Sequence, residues 1–182
     1  MMSGSEYQKR QEGGATVFEV TPAPQQRFML IVILGGIGML FGLAVIGSEH
    51  LLGLIMLGGC GYAVYWAWTN DLRPPEHRSP STFRVTADAI ESKGQTWRKA
   101  DIHRLIVKNG ITKSVATAPG VLVEVPTMMA AGAAHRMQVS LTCNGLEVEA
   151  GGKGTVLAGG MDETTAFGLL TDVSRVLGFN TT

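Results

Sequence analysis

Two apolar runs, Phe28 to Gly47 and Leu51 to Trp68, constrain this chain more than any other feature. Only Ser48, Glu49 and His50 separate them, and Glu49 is the one formal charge between residues 28 and 68. As helices at ~1.5 Å rise per residue the runs are roughly 30 Å and 27 Å long, close to the thickness of a bilayer's hydrocarbon core. The short break permits only a tight reversal. The expectation is a two-span transmembrane hairpin over residues 27–69, with spans at 28–47 and 51–68, followed by a soluble tail.

Charge patterning agrees. Charged residues make up 16% of the 182, against about 25% in an ordinary soluble domain. Lys plus Arg equals Asp plus Glu at 15 each, which gives no case for a nucleic-acid partner. A cleaved signal peptide fits poorly. The first run exceeds a usual h-region, ends in Ala44-Val45-Ile46 and is followed at once by a second run. The remaining alternative is a buried helix pair in a soluble protein. Lys9, Arg10 and Arg27 precede the runs, Arg73, Arg78 and Arg84 follow them, and the turn has neither Lys nor Arg. The positive-inside rule then predicts a multi-pass membrane protein with both termini cytoplasmic and Glu49-His50 outside. Tyr62, Tyr65, Trp66 and Trp68, with Phe28, would form an aromatic belt at the cytoplasmic interface.

Small residues line both runs. Gly38-x-x-x-Gly42 and Gly59-x-x-x-Ala63 are spaced so that helix backbones approach closely. They are the candidate helix-packing positions, for the pair on itself or against other subunits. Cys60 and Cys143 lack a CxxC partner and read as small buried hydrophobes.

The N-terminal segment, 1–26, is expected to be cytoplasmic and disordered through residue 14, with a weak strand over 15–20. Residues 70–80 carry Pro74, Pro75 and Pro80 and read as a semi-rigid linker. From 81 to 182 the pattern changes to short strands. Alternation predicts strands at 82–86, 90–92, 95–98, 102–107, 111–115, 121–125, 137–143, 146–150 and 155–158. Lys93-Gly94, Asn109-Gly110, Asn144-Gly145 and Gly151 to Gly154 read as turns. A final helix starts at the N-cap Asp162, carries Ala166, Leu169, Leu170, Val173, Val176 and Leu177 on one face, and stops at Gly178. The fold class predicted is α+β: a membrane hairpin, then a small antiparallel β-barrel or sandwich whose open end the helix plugs.

Three pieces of the tail carry a family resemblance: Phe83 to Glu91, Trp97 to Ile102, and Gly151 to Ala158 before the final helix. Residues 81–179 resemble the bacterial pleckstrin-homology-like (PH-like) domains, here joined to a membrane hairpin. The Met/Ala stretch from Pro126 to Ala134 departs from that pattern. The resemblance implies a binding role, with early loops that contact lipid headgroups. It makes Lys93, Arg98 and Lys99 the candidate lipid- or partner-binding residues. Arg84 to Lys113 holds seven basic and three acidic residues, while 114–182 holds three basic and six acidic. The basic half would favour an anionic leaflet; a solvated sheet face is the plain alternative. Met128 and Met129 form an adaptable apolar stretch that could contact a partner or the bilayer interface, or pack as a short helix.

Catalytic patterns fail on inspection. Gly152-Lys153-Gly154-Thr155 lacks the glycine that a phosphate loop needs at 147, where Glu147 stands, and the hydroxyl residue at 154. His50, His77, His103 and His135 have no metal-ligand spacing. No cofactor, metal or catalytic residue is expected. The function expected is a membrane-anchored cytoplasmic interaction module, an accessory or scaffolding subunit of a bacterial inner-membrane transport or secretion complex. Its expected partners are the lipid bilayer and another protein or a second copy met through the glycine faces. An anionic-lipid headgroup sensor is the alternative, and an unrecognised membrane enzyme has the least support.

Overall fold

Residues 4–25, 27–112, 115–116 and 130–179 are described by the structure, a computed structural model. The chain divides into two compact units. One is Gln25–Leu72; the other combines Met1–Pro24 with Arg73–Thr182.

The first unit is a helix pair, α1 (Met29–Ile46) and α2 (His50–Thr69), joined by Gly47, Ser48 and Glu49. The helices are antiparallel. Gly35 faces Val64, Gly38 faces Cys60, and Gly42 faces Leu57 and Gly53. One expectation is corrected here. Among the described residues one helix, α2, is long and apolar enough to cross a membrane; the apolar stretch described in α1, Ile31–Ile46, is shorter. At ~1.5 Å per residue that stretch extends about 24 Å, short of a hydrocarbon core of about 30 Å. The second transmembrane span is therefore not present as predicted.

The second unit is α+β. Strands β1 (Glu6–Glu12), β2 (Ala15–Thr21), β3 (Ser81–Val85), β4 (Ala89–Ser92) and β5 (Gln95–Arg98) form one antiparallel sheet in that order. Strands β6 (Ile102–Asn109), β7 (Val115–Ala116), β8 (Asn144–Ala150) and β9 (Lys153–Met161) form a second, ordered β7-β6-β8-β9. Helix α3 (Ala130–Leu141) precedes β8, and α4 (Glu163–Leu177) follows β9. The predicted closed barrel is corrected to two open sheets. A 3-10 turn at Lys99–Asp101 carries the chain from the edge strand β5 into β6, an inner strand of the other sheet. Among the described residues no strand pairs across the two sheets, so no barrel seam closes.

Three two-residue turns use the same chemistry. Gly13-Gly14, Lys93-Gly94 and Gly151-Gly152 all have positive φ, which matches the right-handed twist of the strands they join. The first of these turns makes the N-terminal segment part of the sheet rather than disordered. β1 has Tyr7 as its one large apolar residue, so alternation could not reveal it; it is held by backbone pairing with β2 from Glu6↔Thr21 to Glu12↔Ala15. β2 is consequently an inner strand, paired with β3 through Phe18↔Phe83.

The strand expected at 137–143 is instead the end of α3. Strand geometry would put Met137, Val139 and Leu141 on one face. In the helix Val139 is 2% exposed while Met137 and Leu141 are 66% and 59% exposed. The strand expected at 121–125 lies outside the described residues. Of the strand expected at 111–115, Ile111 and Thr112 form a turn, Val115 begins the two-residue strand Val115–Ala116, and residues 113–114 lie outside the described residues.

Both sheets and α4 share one core. Phe18 stacks on Phe83 at 5.3 Å, and Val20, Val85 and Ile90 surround them from the first sheet. Leu146, Val148 and Leu157 enter from the second sheet; Ala166, Leu169, Val173 and Leu177 enter from α4. α4 has the ends its sequence predicts. Asp162 accepts the Thr165 N–H at 2.9 Å. Gly178 is left-handed at φ 68°, and the Phe179 N–H closes on the Ser174 carbonyl.

Leu169 is fully buried and Thr171 is exposed. Leu169→Asp places an unpaired carboxylate in the core at a cost of several kcal/mol, comparable to a domain's whole stability. Thermal melts of the detergent-solubilised chain should show loss of the β-unit transition for Leu169→Asp. Thr171→Asp should melt within about 0.5 kcal/mol of the parent.

Candidate functional site

The sequence-predicted residues do not form one cluster. Lys93 sits in the turn between β4 and β5, whereas Arg98 ends β5. About five residues of extended chain, roughly 16 Å, separate them. Arg98 is exposed on the outer sheet face opposite Ala89. The Lys99 ammonium turns to the Phe179 ring, 5.5 Å from its centroid, beyond the end of α4. The outer face is also of mixed sign, since Arg84 pairs across from Glu91 and Arg10 bonds Glu12 at 2.7 Å. Met128 and Met129 lie outside the described residues.

The helix-packing candidates divide in two. A methyl added at Gly38 would meet Cys60 Sγ at 2.5 Å, and one at Gly42 would meet Gly53 and Leu57 at 3.2 Å. These glycines bring the backbones together. Gly59 has nothing within 4 Å and Ala63 is half-buried, so Gly59 lies off the seam that its neighbour Cys60 joins. The partners that complete it are Gly35 and Gly53.

A different cluster, unpredicted from sequence, forms where β1 meets α4. Tyr7, Lys9 and Gln11 share the inner side of β1, opposite Val20, Phe18 and Thr16. Gly168 lets the Tyr7 ring lie against the helix, since a methyl there would come 3.3 Å from the hydroxyl. Asp172, one turn further on, accepts from the Tyr7 hydroxyl at 3.0 Å and the Lys9 ammonium at 2.9 Å, and pairs with Arg175 at 3.1 Å. These bonds, the Lys9 bond foremost, hold the Asp172 carboxyl below its ordinary range against the opposing effect of burial. Burial, reinforced by Asp172, pushes the Tyr7 phenol up.

Beside this hub runs an open groove of about 310 Å³, rimmed by Lys9, Arg10 and Arg175 and backed by Phe18 and Val176. With Asp172 and Glu12 as counter-charges, one positive charge remains in surplus. The Lys9 and Arg175 side chains are 56% and 71% exposed, so N–H groups remain available to a ligand. This chemistry suits a small anionic group with an apolar portion. Sequence could not show it, because Lys9 and Asp172 are 163 positions apart.

A second unpredicted feature is His77, 4% exposed in the 3-10 turn Pro75–His77. Its ring lies on the bare backbone of Gly110, Gly145 and Gly159, where an added methyl would come within 2.8–2.9 Å. Its Nδ1 accepts the Gly160 N–H at 2.9 Å. Asn109-Gly110 opens a turn over Gly110 to Thr112, with the Asn109 side chain accepting the Ile111 and Thr112 N–H groups, whereas Asn144-Gly145 lies within β8. Neither Gly110 nor Gly145 has positive φ. Asn109 and Asn144 pair across β6 and β8, with their side chains bonded at 3.0 Å. Residues 73–78 are thus folded onto the β unit rather than acting as a free linker.

Among the described residues no group of three His, Cys, Asp or Glu could hold a metal ion. Comparison with known proteins finds no matching family model, no matching curated protein and no matching solved structure.

Two measurements follow. Gly38→Leu should separate the helices and lower the melting temperature of the pair in detergent, while Gly59→Leu, which meets nothing, should not. Asp172→Asn should cost about 1–2 kcal/mol at neutral pH. Asp162 is lowered too: burial raises it, but bonds from Ser5 and Thr165 outweigh that effect. Both carboxylates stabilise the fold fully above their unfolded values near 3.9 and lose that contribution as pH falls through their lowered folded values. Urea titrations between about pH 5 and pH 2 should show falling stability, with a shallower slope for Asp172→Asn.

Proposed function

We propose that this chain is a membrane-anchored binding module: its helix α2 sits in a lipid bilayer and its β-rich unit recognises a partner. The observation that carries this reading is the outer surface of the helix pair. Leu34, Leu40, Phe41, Leu43, Leu51, Leu54 and Ile55 are all exposed, and neither helix contains a charged residue. Soluble monomers rarely expose contiguous apolar patches beyond a few hundred Å². A bilayer that takes up α2 removes this surface from water at about 25 cal/mol per Å².

The other end of the pair supports the same reading. Arg27 lies 3.6 Å over the Trp68 ring, and Phe28 packs on Trp66 at 5.7 Å. Amphipathic aromatics beside a cation suit the headgroup layer. Basic residues on both flanks, and none in the turn, favour a cytoplasmic position for the flanks. Gly36, Gly58, Gly59 and Gly61 have nothing within 4 Å, which leaves room for another helix. That room supports a role as an accessory or scaffolding subunit of a larger complex in a bacterial cytoplasmic membrane. Kinship with the PH-like domains belongs to this proposal and rests on the pieces at 83–91, 97–102 and 151–158, not on a closed barrel.

A second reading, recognition of an anionic lipid headgroup, draws on the surplus positive charge beside Lys9 and Arg175. It no longer draws on Lys93, Arg98 and Lys99 as one site.

Flotation on phosphatidylcholine vesicles, with and without phosphatidylglycerol, separates these readings. The protein should float with both vesicles and resist alkaline carbonate. Ile55 is exposed, so Ile55→Lys leaves the helix seam intact; lying toward one end of α2, it costs less than the roughly 2.5–3.5 kcal/mol of a lysine at the helix centre but should still weaken retention. Flotation that requires phosphatidylglycerol and is lost in Lys9→Ala/Arg175→Ala would favour the headgroup reading. A soluble monomer that ignores both vesicles would overturn the membrane reading altogether.

A further inference from the structure

We propose that His77 is a pH-sensitive clasp: its neutral ring holds the chain segments entering and leaving the helix pair on the β-rich unit, and its protonation releases them. The geometry centres on Gly160 in β9. Its carbonyl accepts the N–H of Ala23, in the entering segment, at 2.8 Å. Its own N–H bonds Nδ1 of His77, in the leaving segment, at 2.9 Å. A positive φ of 76° gives Gly160 this backbone geometry, and the His77 carbonyl lies against its Cα. Arg73 completes the clasp by donating to the Ala23 carbonyl at 2.6 Å, and Arg78 donates to the Arg73 carbonyl at 2.8 Å.

Nδ1 accepts a hydrogen bond, so it carries no proton in the closed clasp. An imidazolium would place an N–H there, facing the Gly160 N–H in a site with no slack. The surfaces against the ring are Gly110, Gly145 and Gly159, with the Gly160 N–H at Nδ1. None of these glycines carries a charge. The charged neighbours are those of the leaving segment. Burial lowers the pKa of His77; Glu76 opposes that effect and Arg73 adds to it. The clasp is therefore complete above the ordinary histidine value of about 6.5 and is lost as pH falls through the lower folded value.

Hydrogen exchange on the full chain in detergent, corrected for intrinsic rates, tests this. Between about pH 7.5 and pH 5, protection of the Gly160 amide and of peptides covering 73–78 should fall, by up to about tenfold per pH unit below the open-state value of about 6.5, and level off once pH passes the lower folded value. Amides of α4 should keep theirs. His77→Asn presents an acceptor oxygen near the position of Nδ1 and does not titrate, so its protection should be independent of pH. An NMR titration of the His77 ring supplies a second readout: the pH at which the fall in protection levels off should coincide with the ring's midpoint. Protection unchanged with pH would overturn the clasp. So would a loss that His77→Asn reproduces with the same pH dependence, a loss shared by α4, or a levelling-off away from the His77 midpoint.

Discussion

An insertion between two paired strands must return to where it began, and the rest of this architecture follows from that constraint. β2 and β3 are antiparallel neighbours in continuous register from Thr16↔Val85 to Val20↔Ser81. Between them the chain makes the whole helical unit, Gln25–Leu72. One helix of 20 residues would leave its far end about 30 Å away. Two antiparallel helices bring the chain back, which is a reason for a helix pair independent of any membrane. The hydrogen bonds of Ala23 and His77 to Gly160 then fasten both stems at one point.

Close backbone approach is the recurrent means of doing this. In the helix pair Gly35, Gly38, Gly42 and Gly53 remove side chains from the seam, so that dispersion contacts act along it. In the β-rich unit Gly110, Gly145 and Gly159 clear a seat for one imidazole. The polar ties work alongside. Asp172 fastens β1 to α4 through Tyr7 and Lys9, and Asp162 fastens the N-terminal Ser5 to the start of α4. Protonation weakens all three polar anchors, His77 in mild acid and the two carboxylates at lower pH. Acid therefore loosens the stems of the helical unit before it loosens the N-terminal strand.

The legible parts of the fold are those decided by neighbours in sequence. The apolar runs gave helices within two residues of their expected ends. Asp162 and Gly178 marked both ends of α4, and Lys93-Gly94 and Gly151-Gly152 are the turns their residues require. Local patterns misled where a distant partner set the outcome. Met137, Val139 and Leu141 alternate like a strand but only Val139 faces the interior, from a helix. β1 shows no apolar alternation because backbone pairing and one carboxylate, Asp172, of a helix some 160 residues away secure it.

The candidate site divides along the same line. Lys93, Arg98 and Lys99 are close in sequence, and an extended strand separates the first from the others because each strand residue adds about 3.3 Å. Lys9, Asp172 and Arg175 come together only when β1 docks on α4. By itself the sequence determined the apolar helices, the tight turns and the capped last helix, since dihedral preference and hydrophobic periodicity act over a few residues. The tertiary structure alone decided that the sheets stay open, that Gly145 lies in a strand and with Gly110 seats a histidine, and that the charges meet beside β1. Those outcomes depend on which surfaces exclude water together, and no local pattern records that.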